Sequence, residues 1–373
     1  MEPRDFREAC LVLNSVSGVG PVLMRRLMDI FGDPQSILQA DREALLQVSG
    51  VGEELAAAIL RWREKFNLER ELLLMQKHHV RFMLKADSEY PANLKELYDA
   101  PFGLYVRGTI ALQSPSIAIV GTRRATIYGQ STARRFAQVL ARAGCLIVSG
   151  MALGIDTEAH QGALEVQGRT AAVLGCGLDV VFPPANVALH RSLGQEGALL
   201  SEFSFGRPAD RQTFPQRNRI VSGMADATLV VETDIKGGSL ITARFAADQG
   251  RSVYAVPGRI DQETSRGCHR LIREGATLVT APEEILEELR YRQLDLNFSL
   301  KAQQSETVAV KSLAELDPDE RRIVQCFQGG AILHADSIAE QTALPQTSIF
   351  SVLMMLELKQ ILAKRADGSY ELL

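Results

Sequence analysis

The chain reads as an α/β protein built on a mainly parallel sheet, with a helical domain before it and a winged helix after it. Three observations carry that reading. Short apolar runs alternate with amphipathic stretches between residues 100 and 290. A glycine-bearing pentapeptide recurs near the N-terminus, each time ahead of a helical pattern. The last 61 residues hold three helical segments and one hairpin signal. Apolar strands of a few residues alternating with helices argue a parallel sheet covered on both faces.

The N-terminal echo is Val16-Ser17-Gly18-Val19-Gly20 before PVLMRRLMDIF, and Val48-Ser49-Gly50-Val51-Gly52 before EELAAAILRW. An apolar-x-Gly-apolar-Gly turn leading into a helix is the helix-hairpin-helix pattern, whose glycines expose backbone amides to a DNA phosphate. The same turn also serves a helical packing module without DNA, and equal basic and acidic counts, 12 each over residues 1–85, leave both readings open. The expected helical domain spans 1–84.

The α/β region is expected over 85–290. Its candidate strands are LYVRG, SIAIVGT, CLIVSG, TAAVLG, ALLSEF, ATLVVET, SVYAVPG and ATLVT, with helical stretches such as Gln130–Ala143, Asp156–Val166, Leu240–Asp248 and Arg266–Arg273 between them. Ligands of open α/β sheets bind outside the carboxyl ends of the strands. There the sequence places GTRRATIYG, SGMALGID, GCGLD and ETDIKGGS, four glycine-bearing loops. Residues 291–312 read as a polar linker and 313–373 as the winged helix. Its third helix offers Gln346, Thr347 and Ser348 with little positive charge, which favours a protein partner over duplex DNA.

Composition narrows the function. With 46% hydrophobic and 23% charged residues the 373-residue chain is globular, and it is long enough for two or three domains. Its formal charge is −4, and residues 86–290 hold 21 basic against 22 acidic groups, so bulk charge will not draw in duplex DNA. Any nucleic-acid site must be a local cluster of arginines. Five scattered cysteines show neither a disulfide framework nor zinc spacing, no apolar run reaches membrane-spanning length, and no signal-peptide layout opens the chain. The expectation is a cytoplasmic protein without metal or cofactor.

The arginines fall in two runs. Gly121-Thr122-Arg123-Arg124 ends a strand, where glycine admits close backbone approach, Thr122 offers a hydroxyl and Arg123 a fork matched to phosphate. Phe214-Pro215-Gln216-Arg217-Asn218-Arg219 opens an apolar turn, and either arginine could instead make an internal salt bridge. Ser149, Gly150 and Gly154 form a second loop, in which Asp156 reads as a helix cap. Lys236, Gly237, Gly238, Ser239 and Thr242 form a further anion loop. GxGxxG, Walker A, GxSxG and HExxH are all missing, so neither a dinucleotide nor a familiar hydrolase is demanded. His160 reads as a hydrogen-bonded core histidine rather than a metal or acid–base group, and His78-His79 as surface.

At the strings IVGTRRATIYG, IVSGMALGIDTEAHQGAL, AVLGCGLDVVFPPAN, FPQRNRIVSG, VVETDIKGGSLITARFAADQGRSVYAVPG and GCHRLIREGATLV the chain resembles the DprA/Smf family of DNA-processing proteins. The resemblance covers residues 85–290 densely, and the flanking domains match the family's longer members. It implies an extended Rossmann-like core and a SAM-like N-terminal domain. It also implies single-stranded DNA binding without a known catalytic reaction, a homodimer, and loading of the recombinase RecA onto incoming strands in natural transformation. Carried over position by position, it implies phosphate contact by Arg123, with Arg217 and Arg219 in the same groove. It further implies a dimer face at His269, Ile272 and Leu278, and a RecA-facing surface near Glu274. One departure is Phe182-Pro183-Pro184, where many relatives have a basic residue after the aromatic-Pro pair; Arg191 or Lys236 could compensate. The competing expectation is a nucleotide hydrolase resembling the phosphoribohydrolases, whose PGGxGTxxE signature would fall near KGGSLITA, residues 236–243, without its glutamate.

Overall fold

A computed structural model describes residues 1–113, 115–289, 316–327, 333–342, 344–359, 361–365 and 368–372. Residues 1–289 form one compact unit and 290–373 a second. The expected linker at 291–312 lies outside the described residues, as do the side chains of Gln346 and Thr347.

The N-terminal echo is a structural repeat. Gly18 and Gly50 take φ values of 96° and 97°, a conformation that side-chain-bearing residues rarely adopt. Gly20 and Gly52 then cap the helices Pro21–Phe31 and Glu53–Leu60. Leu11, Leu27, Ile37, Leu45, Ile59 and Trp62 bury the apolar faces of this helical layer against one another. Side-chain contacts from Arg7 and Arg25 tie the layer to residues 82–98. Arg7 donates to the Phe82 carbonyl and pairs with Asp87 at 2.8 Å, and Arg25 stacks on Tyr98.

The sheet has nine strands: β1 (Val80–Leu84), β2 (Gly103–Gly108), β3 (Ser116–Val120), β4 (Leu146–Ser149), β5 (Thr170–Leu174), β6 (Ala198–Ser201), β7 (Ala227–Val230), β8 (Ser252–Ala255) and β9 (Thr277–Leu278). Their order is β1-β2-β6-β5-β4-β3-β7-β8-β9. The run from β6 to β9 is parallel, and β1 and β2 add an antiparallel edge. β1 lies inside the segment expected as a separate helical domain. Its register with β2, Val80 opposite Arg107 through Leu84 opposite Gly103, makes it part of the sheet.

Alternation along β3 assigns the two faces. Ile117 and Ile119 point to a layer with Phe136 and Leu140 of the helix Ile127–Arg142, while Ala118 and Val120 point to one with Ile220, Val221 and Ala243. The chain leaves β3 for β4, β5 and β6 on one side, then recrosses to β7 on the other. That reversal opens the topological switch point between β3 and β7.

In the second unit, helix Pro318–Gln325 begins with a capping box between Asp317 and Glu320. Helices Ala335–Thr342 and Gln346–Leu358 come next, then an antiparallel pair, Leu362–Lys364 with Tyr370–Leu372. Ile323, Phe327, Ile338, Leu353 and Leu356 make its core. The third helix contains no lysine or arginine, and it exposes Phe350, Met354, Met355 and Leu358.

Candidate functional site

A pocket of about 100 Å³ opens beyond the carboxyl ends of β3, β4 and β5. Arg123 comes from the loop after β3, Gly150, Ala152 and Leu153 from the loop after β4, and Gly175, Cys176, Phe182 and Pro183 from the segment after β5. Phe214 and Arg217 enter from helix Thr213–Gly223. The Phe182 and Phe214 rings lie 5.6 Å apart, and the exposed Arg123 guanidinium sits 5.1 Å over the Phe214 ring. Arg123 makes no ion pair among the described residues. Cation–π stacking holds its fork in place without neutralising it.

Arg217 is buried beneath. Its guanidinium donates from Nη1 to the Gly150 and Val173 carbonyls, the latter at 2.6 Å, and from Nε to Asn218 Oδ1 at 3.1 Å. Nη2 has no hydrogen-bond partner among the described residues. A Cβ at residue 150 would lie 2.0 Å from Arg217 Nη1, so only glycine lets the guanidinium lie flat on this loop. Asp156 helps to balance the charge. Its carboxylate accepts from the Gly150 and Ala152 amides at 3.1 and 3.3 Å. Burial pushes the Asp156 carboxyl up, and the Arg217 charge opposes that rise. Asp156 therefore braces the loop and faces a cation; it does not cap the helix as expected, since Gly154 is the cap residue and no side chain caps it.

His160 is wholly buried, its Nδ1 2.7 Å from Thr170 Oγ1. That hydroxyl donates onward to the Ile147 carbonyl, so Nδ1 carries the hydrogen. Burial first, and then the Arg217 charge, push the imidazole down to about 3, which keeps it neutral. Among the described residues no three His, Cys, Asp or Glu side chains are arranged to hold a metal ion.

Several expected contacts are corrected. Arg219 does not share the Arg123 pocket. It sits on another face of the same helix, 2.6 Å from the Glu202 carboxylate and bonded to the Asp99 carbonyl, lining a separate groove of about 800 Å³. Ser149 is buried and donates to the Ile119 carbonyl, so its hydroxyl supports β3 rather than a ligand. The Lys236 loop does not join the pocket, because β7 lies on the opposite side of β3 from β4 and β5. Within it Ser239 donates inward to Thr233 Oγ1, Thr242 is buried, and Gly237 packs where a Cβ would meet Thr233 Oγ1 at 2.1 Å. Lys236 is exposed and Gly238 faces open space.

Gly121 and Gly154 serve close packing between loops. Cβ atoms there would meet Ile155 and the Thr122 carbonyl at 2.5 and 2.4 Å. Thr122 Oγ1 accepts from the Arg124 amide, and the Arg124 side chain is exposed. Of the expected dimer residues, His269 is half-buried and bonds the Gly258 carbonyl, Ile272 packs half-buried on the core, and Leu278 is exposed on edge strand β9. Glu274 pairs with Arg270 at 2.7 Å.

A Rossmann-like core with an arginine–phenylalanine pocket at its strand ends, flanked by a helix-hairpin-helix tandem and a winged helix, defines a modular class of protein. Residues 81–290 match the family of DNA recombination-mediator protein A, residues 11–61 a SAM-like helix-hairpin-helix tandem, and residues 308–368 the DprA winged helix domain. The chain is 38% identical over 335 residues to protein Smf of Escherichia coli, which spans 87% of this chain and 86% of that one. It is 42% identical over 206 residues to DNA processing protein DprA of Streptococcus pneumoniae, spanning 55% and 73%. The chain belongs to the DprA/Smf family. The solved structure of the Streptococcus pneumoniae protein superposes with a TM-score of 0.67 at 33% identity, covering 76% of this chain and 97% of that one. A Helicobacter pylori DNA processing protein A, solved for its single-stranded DNA binding mode, gives 0.52 at 29%, covering 58% and 98%.

Proposed function

We propose that this chain binds single-stranded DNA at the Arg123 pocket, without transforming it, and protects incoming or processed strands. It loads RecA onto those strands in natural transformation or recombination. The observation that carries the reading is the Arg123 guanidinium, exposed, free of carboxylate partners and stacked on Phe214 at the mouth of a pocket. A cation with an adjoining aromatic floor suits a strand whose phosphates and bases are both accessible. A duplex hides its base faces, and the Helicobacter pylori relative is described as a single-strand binder.

The hydrolase reading finds no footing at residues 236–243. Ser239 and Thr242 face inward, and the switch-point crevice is filled by a side chain of the protein itself. The functional unit is a homodimer joined through the edge beside β9, where Leu278 is 45% exposed, with RecA met near Glu274.

The test compares the whole chain on single- and double-stranded oligonucleotides by fluorescence anisotropy. Arg123→Ala is expected to weaken single-strand binding about tenfold, the scale of one charge-assisted contact. An unchanged curve in the folded variant would refute the site. Leu278→Arg should give monomers in light scattering, and a persistent dimer would move the interface elsewhere.

A further inference from the structure

Rossmann-like folds bind ligand phosphate at the switch point, on the N-terminus of the helix that comes after the first strand of the unit. Here that place is the start of helix Ile127–Arg142, after β3 and beside the loop that leaves β7. It is occupied. The buried Glu232 side chain, just past β7, lays its carboxylate over the first turn, accepting from the Thr126 amide at 2.9 Å and the Thr126 hydroxyl at 2.6 Å. Gly129 makes room for it, since a Cβ there would lie 2.3 Å from Glu232 Oε2. The backbone of the same residue holds the other end of the loop, its carbonyl accepting from the Thr122 amide at 2.7 Å.

We propose that Glu232 is the specificity-determining residue of this rim. Its carboxylate takes the seat a nucleotide phosphate would use, and its two attachments to residues 122 and 126 hold the loop that carries Arg123. The fold thereby closes its ancestral-type crevice and moves ligand binding across β3 to the pocket over β4 and β5. The carboxylate takes the N-cap amide and faces the same partial positive charge that would draw a phosphate, so the two exclude each other. The second half of the proposal, that Glu232 positions Arg123, rests on the single-strand reading; the first half does not.

Two measurements on the full chain separate these halves. In Glu232→Ala the seat is vacated, and inorganic phosphate or adenosine monophosphate should raise Tm by a few degrees relative to chloride at equal ionic strength. The wild type should show no such rise. Glu232→Ala should also weaken single-strand binding about fivefold, and this loss should vanish when measured in an Arg123→Ala background, since a positioning residue acts only through the group it positions.

Gly129→Ala provides the second variant. It places a methyl group in the carboxylate's space, and about 1 kcal/mol of added helix propensity offsets part of the cost of displacing it. It should reproduce the Arg123-dependent loss without gaining phosphate binding. No phosphate response in folded Glu232→Ala overturns the exclusion. Single-strand losses in Glu232→Ala and Gly129→Ala that persist undiminished without Arg123, or no loss in either, overturn the positioning. If Arg123→Ala itself binds normally, the single-strand reading fails while the phosphate response still decides the exclusion.

Discussion

Arg217 and Arg219 stand two residues apart on one helix, both buried, and the molecule uses them in opposite ways. Arg217 turns toward the strand-end pocket, where it meets carbonyls and keeps a terminal nitrogen without a partner among the described residues. Arg219 turns toward the groove beside the helical layer, where Glu202 accepts both of its Nη2 bonds at 2.6 Å. Arg217 thus keeps unspent cationic character in the pocket, while the Arg219 charge is neutralised in the groove. Buried arginine is therefore no indicator of anion binding until its partners are known. What separates the two arginines is ion-pair distance: Glu202 lies within it for Arg219, whereas Asp156 faces Arg217 without forming an ion pair among the described residues.

The largest effect should come from breaking the groove pair. Arg219→Ala leaves Glu202 buried without its cation, and loss of one partner of such a pair costs about 3–5 kcal/mol. Replacing both, Arg219→Met with Glu202→Leu, should recover most of that in urea melts. Neither variant, where folded, should change single-strand affinity more than about twofold. A binding loss confined to Arg219→Ala with stability intact would reverse the assignment of the two regions.

Arg217→Ala should cost less stability, about 2–3 kcal/mol for the two carbonyl bonds and the neighbouring Asp156 charge. Unlike the groove variant, it should also weaken single-strand binding. Equal binding losses at both positions would erase the contrast.

This division is legible in the sequence only in part. The interior strands β3 to β7 are short, almost wholly apolar runs buried on both faces, so the parallel sheet and its loop-bearing rim can be read directly. β1 cannot, because VRFML sends Arg81 outward and succeeds a helix across a His78-His79 break with no glycine or proline. The helix Thr213–Gly223 reads as an apolar turn because Pro215 and Gly223 punctuate it, yet proline in a first turn lacks only a hydrogen bond the helix would not make there.

The fate of Arg219 depends on Glu202, on a loop from a different strand, and no local pattern links them. Phe182 likewise meets Phe214 only through the fold, so the aromatic floor of the pocket has no local signature while its cations do. Residue type announces the charge chemistry; tertiary pairing decides where that charge stays available.

Arg123 sharpens the comparison on the binding side. Because it is exposed and unpaired among the described residues, Arg123→Ala should leave the urea midpoint almost unchanged. It should also reduce the slope of log affinity against log salt by about 0.7, one phosphate contact on a single strand. Arg219→Ala should leave that slope alone. A salt slope altered by both would mean that the groove also carries the strand.

The smallest effect concerns protons in the groove. Glu71 and Glu202 line it. Burial raises the Glu71 carboxyl above its ordinary value against the hydrogen bonds from the Phe205 amide and the Tyr105 hydroxyl, and burial raises Glu202 against the Arg219 charge. A carboxyl that holds its proton more tightly folded than unfolded adds stability below its unfolded value. That contribution is lost as pH rises through the folded value. Asp87 and Asp210 are lowered by their bonds to Arg7 and to the Thr213 amide, so they act in the opposite sense and lose stability as pH falls. The net curve mixes the two, and the difference between wild type and Glu71→Gln isolates one. From about pH 4.5 to pH 7 the variant's urea midpoint should fall less than the wild type's, while single-strand binding keeps the same pH profile in both, since Glu71 lines the groove and not the pocket. Parallel stability curves would show that Glu71 folds with an ordinary proton affinity. A binding profile that moved with Glu71 would mean that the groove and the pocket are not separate regions after all.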